Sequence, residues 1–379
     1  MRTPLPRRAF LGAASALLAS SFQRLHAAEQ APPIRIGQTV IESGPLAALS
    51  RQPLQGIRAL IESVNAQGGV HERKLEILRA DDAYDADKAA ANVRRFAEKG
   101  AVAILMPIGT TSSVGALKAA NELRMPLVGP YSGARPVARH SPYGFNLRIS
   151  YEDEYRRLIE HMLPLGIKRI AFAHHDNPGA RGAMETSREI LAQKGVPLLG
   201  SVAIRMDNSD AAERAAELAR LGADAVLLCL TTEAASRLIS GYKAAGGNSS
   251  FYSFSFLNGS VPLRDIGEGA NGVVISQVVP FPWNTALPVV RDYQQAMRAA
   301  GIDELSHASL EGYITAKVLV EAIRRTPAKQ LQPESIKTTL EGMNRLDLGG
   351  FTLRFSKSLH AGSDFSELNL LRRDGRFVK

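Results

Sequence analysis

Apolar residues recur along this chain in short, nearly continuous runs, separated by longer stretches in which they return every three or four positions. The first run opens Ile34-Arg35-Ile36-Gly37 and predicts a strand over Ile34–Val40. After the loop Gly44-Pro45-Leu46, residues Ile57, Leu60, Ile61 and Val64 keep the i, i+3, i+4, i+7 spacing of one helix face. Gly68-Gly69 then offers the left-handed geometry that stops a helix, and Lys74-Leu75-Glu76-Ile77-Leu78 closes a βαβ unit. Further strands are predicted at 75–80, 102–106, 126–128 and 145–148. A second series follows at 169–173, Leu198–Ile204, 225–230, 251–254 and 273–278. Helical patterns at 86–97, 114–123, 155–163, 211–221 and 234–245 lie between them. Continuous apolar strands alternating with helices predict α/β architecture, with parallel sheets covered on both faces. Two consecutive series in one chain predict two such lobes, since a single core rarely organises this length.

The segment before the first strand has a different pattern. Arg7-Arg8-Ala9-Phe10-Leu11 opens an apolar run to about Phe22, and the small residues Ala27-Ala28 follow. That layout predicts a signal peptide over residues 1–28, and the arginine pair ahead of Phe-Leu suits a twin-arginine signal, a Sec signal being the alternative. No cysteine lies near the cleavage region, which argues against a lipid anchor, and no other apolar run reaches the roughly 20 residues of a membrane span. The exported protein is expected to be soluble in the periplasm.

Charge and cysteine content narrow the function. The net charge of +9 falls to +5 when Arg2, Arg7, Arg8 and Arg24 leave with the signal, and the remainder forms no basic block, so no nucleic-acid partner is expected. Cys229 is the single cysteine and sits in an apolar strand, which excludes an intrachain disulfide and favours a buried thiol. No nucleophile elbow, phosphate loop or zinc helix is present, so no enzyme, cofactor or metal site is expected. His174-His175-Asp176 ends a strand, where neighbouring side chains point to opposite faces and share a metal poorly. Asp81, Asp82 and Asp85 suit turn formation and helix capping better than calcium. Chemistry remains at one strand-to-helix turn, Pro107-Ile108-Gly109-Thr110-Thr111-Ser112-Ser113, where hydroxyls and free N–H groups meet the positive end of a helix dipole. Such a turn suits a carboxylate, although plain N-capping explains the same residues.

The order of strand, Gly-Pro loop, helix, Asn65-Ala66-Gln67-Gly68-Gly69-Val70 and Asp81-Asp82 with Asp85 resembles the leucine/isoleucine/valine-binding family of ABC-transporter periplasmic receptors, over essentially the whole chain after the signal. The resemblance implies the type I periplasmic-binding-protein fold, two doubly wound parallel-sheet lobes joined by a three-segment hinge. It places lobe one at 32–149 plus 283–347 and lobe two at 150–282 plus 348–379. The crossings fall near 148–151, 278–282 and 348–350. Helices at about 288–300 and 309–324 return to lobe one, and terminal strands near 351–355 and 367–373 join lobe two.

The resemblance also implies a ligand site. The turn at Gly109, Thr110 and Thr111 holds the ligand carboxylate, the family's serine hydroxyl falling on Thr110. In Gly129-Pro130-Tyr131-Ser132-Gly133-Ala134 the family's threonine aligns with Gly133, so Ser132 supplies the second hydroxyl, and the Tyr131 carbonyl matches an acceptor for the ligand ammonium. Several positions depart from the family. Leu49 replaces an aromatic wall, Gly179 and Thr231 replace tyrosines, and Ser255 stands where the acidic partner of the ammonium is expected. Asp176 is a substitute acid, and Phe254 and Phe256 offer an apolar lining or ordinary core packing. The pattern keeps the carboxylate end and weakens the amine end. The expected function is therefore a monomeric periplasmic receptor that closes on a small carboxylate, an amino acid or related acid, aromatic ones included. It would deliver the ligand to an ABC permease in the inner membrane. The alternative is a sensor of the same fold that signals to a membrane kinase or chemoreceptor.

Overall fold

A computed structural model describes residues 31–258, 272–372 and 377–378. The signal segment and residue 373 of the last expected strand lie outside them. The first lobe opens with β1 (Ile34–Val40), α1 (Ala48–Ala66), β2 (Leu75–Asp81), α2 (Ala86–Glu98) and β3 (Ala101–Leu105). It continues through α3 (Thr110–Glu122), β4 (Leu127–Val128), a short α4 (Arg135–Ala138) and β5 (Gly144–Phe145). These strands form one parallel sheet of order β2-β1-β3-β4-β5, with Ile34 opposite Leu75 and Val40 opposite Asp81. Gly68 and Gly69 end α1 with φ of 99° and 85°, the left-handed stop that the sequence predicts.

The second lobe runs through α5 (Tyr151–Met162), β6 (Ile170–His175), α6 (Pro178–Gln193), β7 (Leu198–Ile204) and α7 (Ala211–Arg220). After them come β8 (Ala225–Cys229), α8 (Thr232–Ala244), β9 (Ser250–Ser253) and β10 (Val274–Gln277). The chain then returns to pack α9 (Pro288–Ala299), α10 (His307–Arg325) and α11 (Pro333–Glu341) on the first lobe's core. A hairpin of β11 (Leu346–Asp347) and β12 (Thr352–Leu353) follows. Finally β13 (Glu367–Leu371) and β14 (Phe377–Val378) add antiparallel strands to the second sheet, order β14-β13-β10-β9-β8-β6-β7.

Close backbone approach joins α1 to α10. A Cβ on Gly56 would overlap the Ser309 carbonyl, and one on Gly312 would overlap that of Pro53. The first crossing is fastened by a buried ion pair, in which the Arg148 guanidinium donates to both Glu311 carboxylate oxygens at 2.9 and 2.8 Å.

Three expectations are corrected. Among the described residues the segment 351–355 does not join the second sheet, because β12 pairs with β11 alone while Phe351, Leu353 and Phe355 fill the first lobe's core. Gly349 and Gly350, at φ 99° and 90°, turn that hairpin, and their N–H groups donate to the Asp347 carboxylate. The third crossing therefore lies between Phe355 and β13 rather than at 348–350. The helix expected at 155–163 also starts a turn earlier, because the Ser150 hydroxyl accepts the Asp153 N–H and caps it.

Candidate functional site

Two strand ends of the first lobe meet at one point. Gly109 caps α3 with φ 79°, and Tyr131, after β4, bridges back to Ile108. This juxtaposition brings the Thr110 and Ser132 hydroxyls to 2.9 Å of each other. The first N–H groups of α3 have no acceptor within the helix, so donors and dipole face the same spot. Ser132 is fully buried and its hydroxyl also accepts the Ala134 N–H. Gly133 has no room for a side chain, since a Cβ there would lie 2.7 Å from the Tyr151 ring and 2.9 Å from the Ile149 carbonyl. That crowding is the physical reason a threonine is absent. The Tyr131 carbonyl accepts the Gly109 N–H at 3.2 Å, which spends one of its lone pairs inside the fold.

Facing this corner across the cleft are the strand ends of the second lobe. A small inner chamber is lined by Leu46, Tyr84 and Thr110 from one side and by Met206, Cys229 and Phe254 from the other, with Thr231 at its edge. Phe254 stacks on Phe256 at 5.8 Å and meets the Tyr151 ring edge-on at 4.5 Å, making an aromatic floor. Burial pushes the Tyr151 phenol up to about 12, so it stays protonated at neutral pH beside Ser132. His175 also faces the chamber. Its Nε2 accepts the Thr231 N–H at 3.0 Å, and burial holds the ring below the ordinary imidazole value, so it adds no positive charge. Thr231 caps α8 by accepting the Ala234 N–H. Burial pushes the Cys229 thiol up to about 12, which makes it inert at neutral pH.

Of the sequence-selected positions, Gly109, Tyr131, Ser132 and Gly133 are buried behind the chamber lining, and three lie elsewhere. Leu49 is 1% exposed and packed in the first lobe's core, and Leu46 takes its place at the cleft. Asp176 points to solvent and pairs with Arg181 at 2.7 Å, away from the chamber lining. Ser255 is buried beneath the chamber, and its N–H and hydroxyl donate to the Glu154 carboxylate at 2.8 and 2.9 Å. Thr111 lines the outer part of the cleft with Thr110.

Two side chains at or beneath the chamber are not among the positions selected from the sequence. Tyr84 restores an aromatic wall from a different loop. Consecutive left-handed residues, Ala83 at φ 50° and Tyr84 at φ 62°, are held by the Asp81 and Asp82 carboxylates, which accept their N–H groups. The ring leans over Gly109, where a Cβ would lie 2.7 Å from it. The signal was available in Asp81-Asp82-Ala83-Tyr84-Asp85, whose acids fold the turn. Glu154 is the second. It is fully buried, and burial pushes its carboxyl up to about 7, opposed by Arg148 and by its serine partners. Among the described residues no carboxylate lines the inner chamber.

The family description of periplasmic binding proteins matches residues 33–365. The chain belongs to this family. Among curated relatives, Leu/Ile/Val-binding protein homolog 7 of Brucella suis is 25% identical, over 93% of this chain and 92% of that one. An extracellular ligand-binding receptor from Verminephrobacter eiseniae superposes with a TM-score of 0.82 at 27% identity, covering 92% of this chain and all of that one. A possible leucine/isoleucine/valine-binding protein from Rhodopirellula baltica gives 0.83 at 25%, covering 93% and 98%. The fold is that of the type I periplasmic binding proteins, and these relatives are binding proteins rather than enzymes.

Proposed function

We propose that this protein is a periplasmic solute receptor of an ABC importer that binds a carboxylate lacking an α-amine. The moving bodies are the two sheet lobes, joined by the segments 146–150, 278–287 and 356–366. Ligand seated on the first lobe recruits the second, and the permease reads the closed form. The observation that carries the ligand class is the asymmetry of the inner chamber. The Thr110 hydroxyl lines the chamber beside the α3 N-terminus, braced from behind by the buried Ser132 hydroxyl, a setting that suits an anion, while no described acid lines the chamber to meet an ammonium. Ser255, at the position where the acid is expected, is itself spent on Glu154. A charge-assisted hydrogen bond contributes roughly 1.5–3 kcal/mol, so an amino acid forfeits about tenfold or more in affinity.

Calorimetry with a panel of monocarboxylates, leucine and valine tests the reading. The expected outcome is that the acids bind and the amino acids do not at micromolar concentration. Thr110→Ala combined with Ser132→Ala should weaken the acids at least about tenfold, with a folded circular-dichroism spectrum. Micromolar leucine or valine binding sinks the amine-free reading, and unchanged acid affinity in the double variant sinks the hydroxyl clamp.

A further inference from the structure

The inner chamber is too small to be the whole site. Its free volume is about 40 Å³, room for a few water-sized groups and therefore for a carboxylate head. It adjoins an outer groove of about 550 Å³, the two sharing Tyr84, Thr110, Tyr151, Asn177, Gly179 and Ala183 in their walls. A volume in that range takes a ligand far larger than a head group. The groove walls are apolar, with Ala86, Val114 and Pro136 on one side and Pro178 on the other. Val114 leaves 39% of its surface exposed, which is uncommon for a large aliphatic residue of this protein.

The second-lobe wall is also stripped of side chains where the fold does not ask for it. A Cβ on Gly182, inside α6, would meet nothing within 4 Å, and one on Gly179 would touch only the Asn177 side chain at 3.4 Å. Neither glycine has a left-handed backbone. Glycine weakens a helix relative to alanine, so these positions carry a cost that packing does not explain. By contrast, Gly115 in α3 is demanded by the backbone of Ala86. What Gly179 and Gly182 achieve is open space along the groove. At the mouth stand Glu152, Glu185 and Glu189, each already paired: Glu152 with Arg135 and Arg156 at 3.0 Å each, Glu189 with Arg135 at 2.8 Å, and Glu185 with Arg188 at 3.2 Å. Among the described lining residues that leaves no unpaired cation for a second anionic end.

We propose that the ligand is a monocarboxylate with an extended alkyl or aryl-alkyl tail, its head in the inner chamber and its tail in the outer groove over Gly179 and Gly182. This rests on the carboxylate reading above. The test is calorimetry on the full mature chain with butanoate, octanoate, 4-phenylbutanoate, octanedioate and octanamide. Octanoate and 4-phenylbutanoate are expected to bind at least tenfold more tightly than butanoate, and octanedioate more weakly than octanoate. Gly182→Leu, which fills the groove from α6, should cost the long acids at least tenfold and change butanoate less than twofold. Val114→Asn, on the opposite wall, should act in the same direction and keeps the test open if Gly182→Leu folds poorly. Equal affinity for short and long acids, or long-acid affinity untouched in both variants, overturns the tail site. Octanamide binding as tightly as octanoate, with the chain-length dependence intact, overturns the carboxylate head instead, so the two readings fail separately.

Discussion

Glu154 shares the buried stripe of α5 with Tyr155 and Leu158, and the partly buried Tyr151 packs beside them, an arrangement that places a carboxyl among aromatic rings. The Ser255 N–H and hydroxyl bind it, and the nearby Ser276 hydroxyl also favours its charged form. These partners and Arg148 favour the ionised form, yet burial outweighs them and the carboxyl titrates near 7 instead of near 4.5. A carboxyl raised on folding stabilises the protonated fold. Its contribution is fully present below about pH 4.5 and is lost as the pH climbs through about 7. We expect Glu154→Gln to abolish that part of the pH dependence, worth up to about 3 kcal/mol. Urea unfolding of both proteins at pH 5 and pH 8 measures it. A variant that loses stability as steeply as the parent over that interval would show that Glu154 does not titrate there.

At the scale of elements, the first crossing depends on Arg148 and Glu311. The guanidinium leaves the chain between β5 and α5, lies 4.8 Å over the Tyr131 ring, and reaches α10 in the other half of the first lobe. Both partners are nearly excluded from water, so removing one charge strands the other. Glu311→Gln should destabilise the protein by roughly 3–5 kcal/mol, whereas Arg148→Met with Glu311→Leu should cost clearly less. Chemical unfolding midpoints decide it, and a loss below about 1 kcal/mol for Glu311→Gln would remove the pair from any role in holding the crossing. Neither this pair nor Glu154 announced itself in the sequence. The strands did, because burial on both faces writes unbroken apolar runs, and β1 and β7 have the predicted bounds. The start of α5 was hidden by Tyr151-Glu152-Asp153-Glu154, three acids that look solvated until Ser150 is recognised as a cap and Glu154 as part of the apolar stripe. The hairpin after α11 was misplaced for a similar reason, since Gly349-Gly350 suits a hinge as well as a turn until Asp347 is seen to bind both N–H groups. At the site, the Thr110 turn could be located from local residue order. Tyr84 could not, because its role depends on contact with Gly109, and that contact exists only once two loops fold together.

At the scale of the molecule, closure requires that the two lobes move about their crossings while each sheet keeps its own core. The packing permits this, since one apolar cluster gathers the first sheet with α9, α10 and α11, while separate clusters build on β6, β8 and β9. The segment 278–287 carries Trp283, the chain's single tryptophan, 40% exposed. Its ring lies 5.9 Å from His307 at the start of α10 and 6.3 Å from Phe377 on β14, so it touches both lobes. Any rotation of one lobe against the other must change at least one of those contacts, and the indole emission with it. Ligand that binds only the closed form also stabilises that form by mass action, about 2.7 kcal/mol at a hundredfold excess over Kd. Titrating a binding monocarboxylate should therefore produce three changes with one midpoint: a shift in Trp283 emission, a rise in thermal midpoint and a fall in radius of gyration by small-angle scattering. Trp283→Phe should remove the first and keep the other two, which ties the optical signal to the crossing. A thermal rise with no change in scattering or emission at saturation would mean that ligand binds a cleft already closed, and the hinge mechanism would have to be given up.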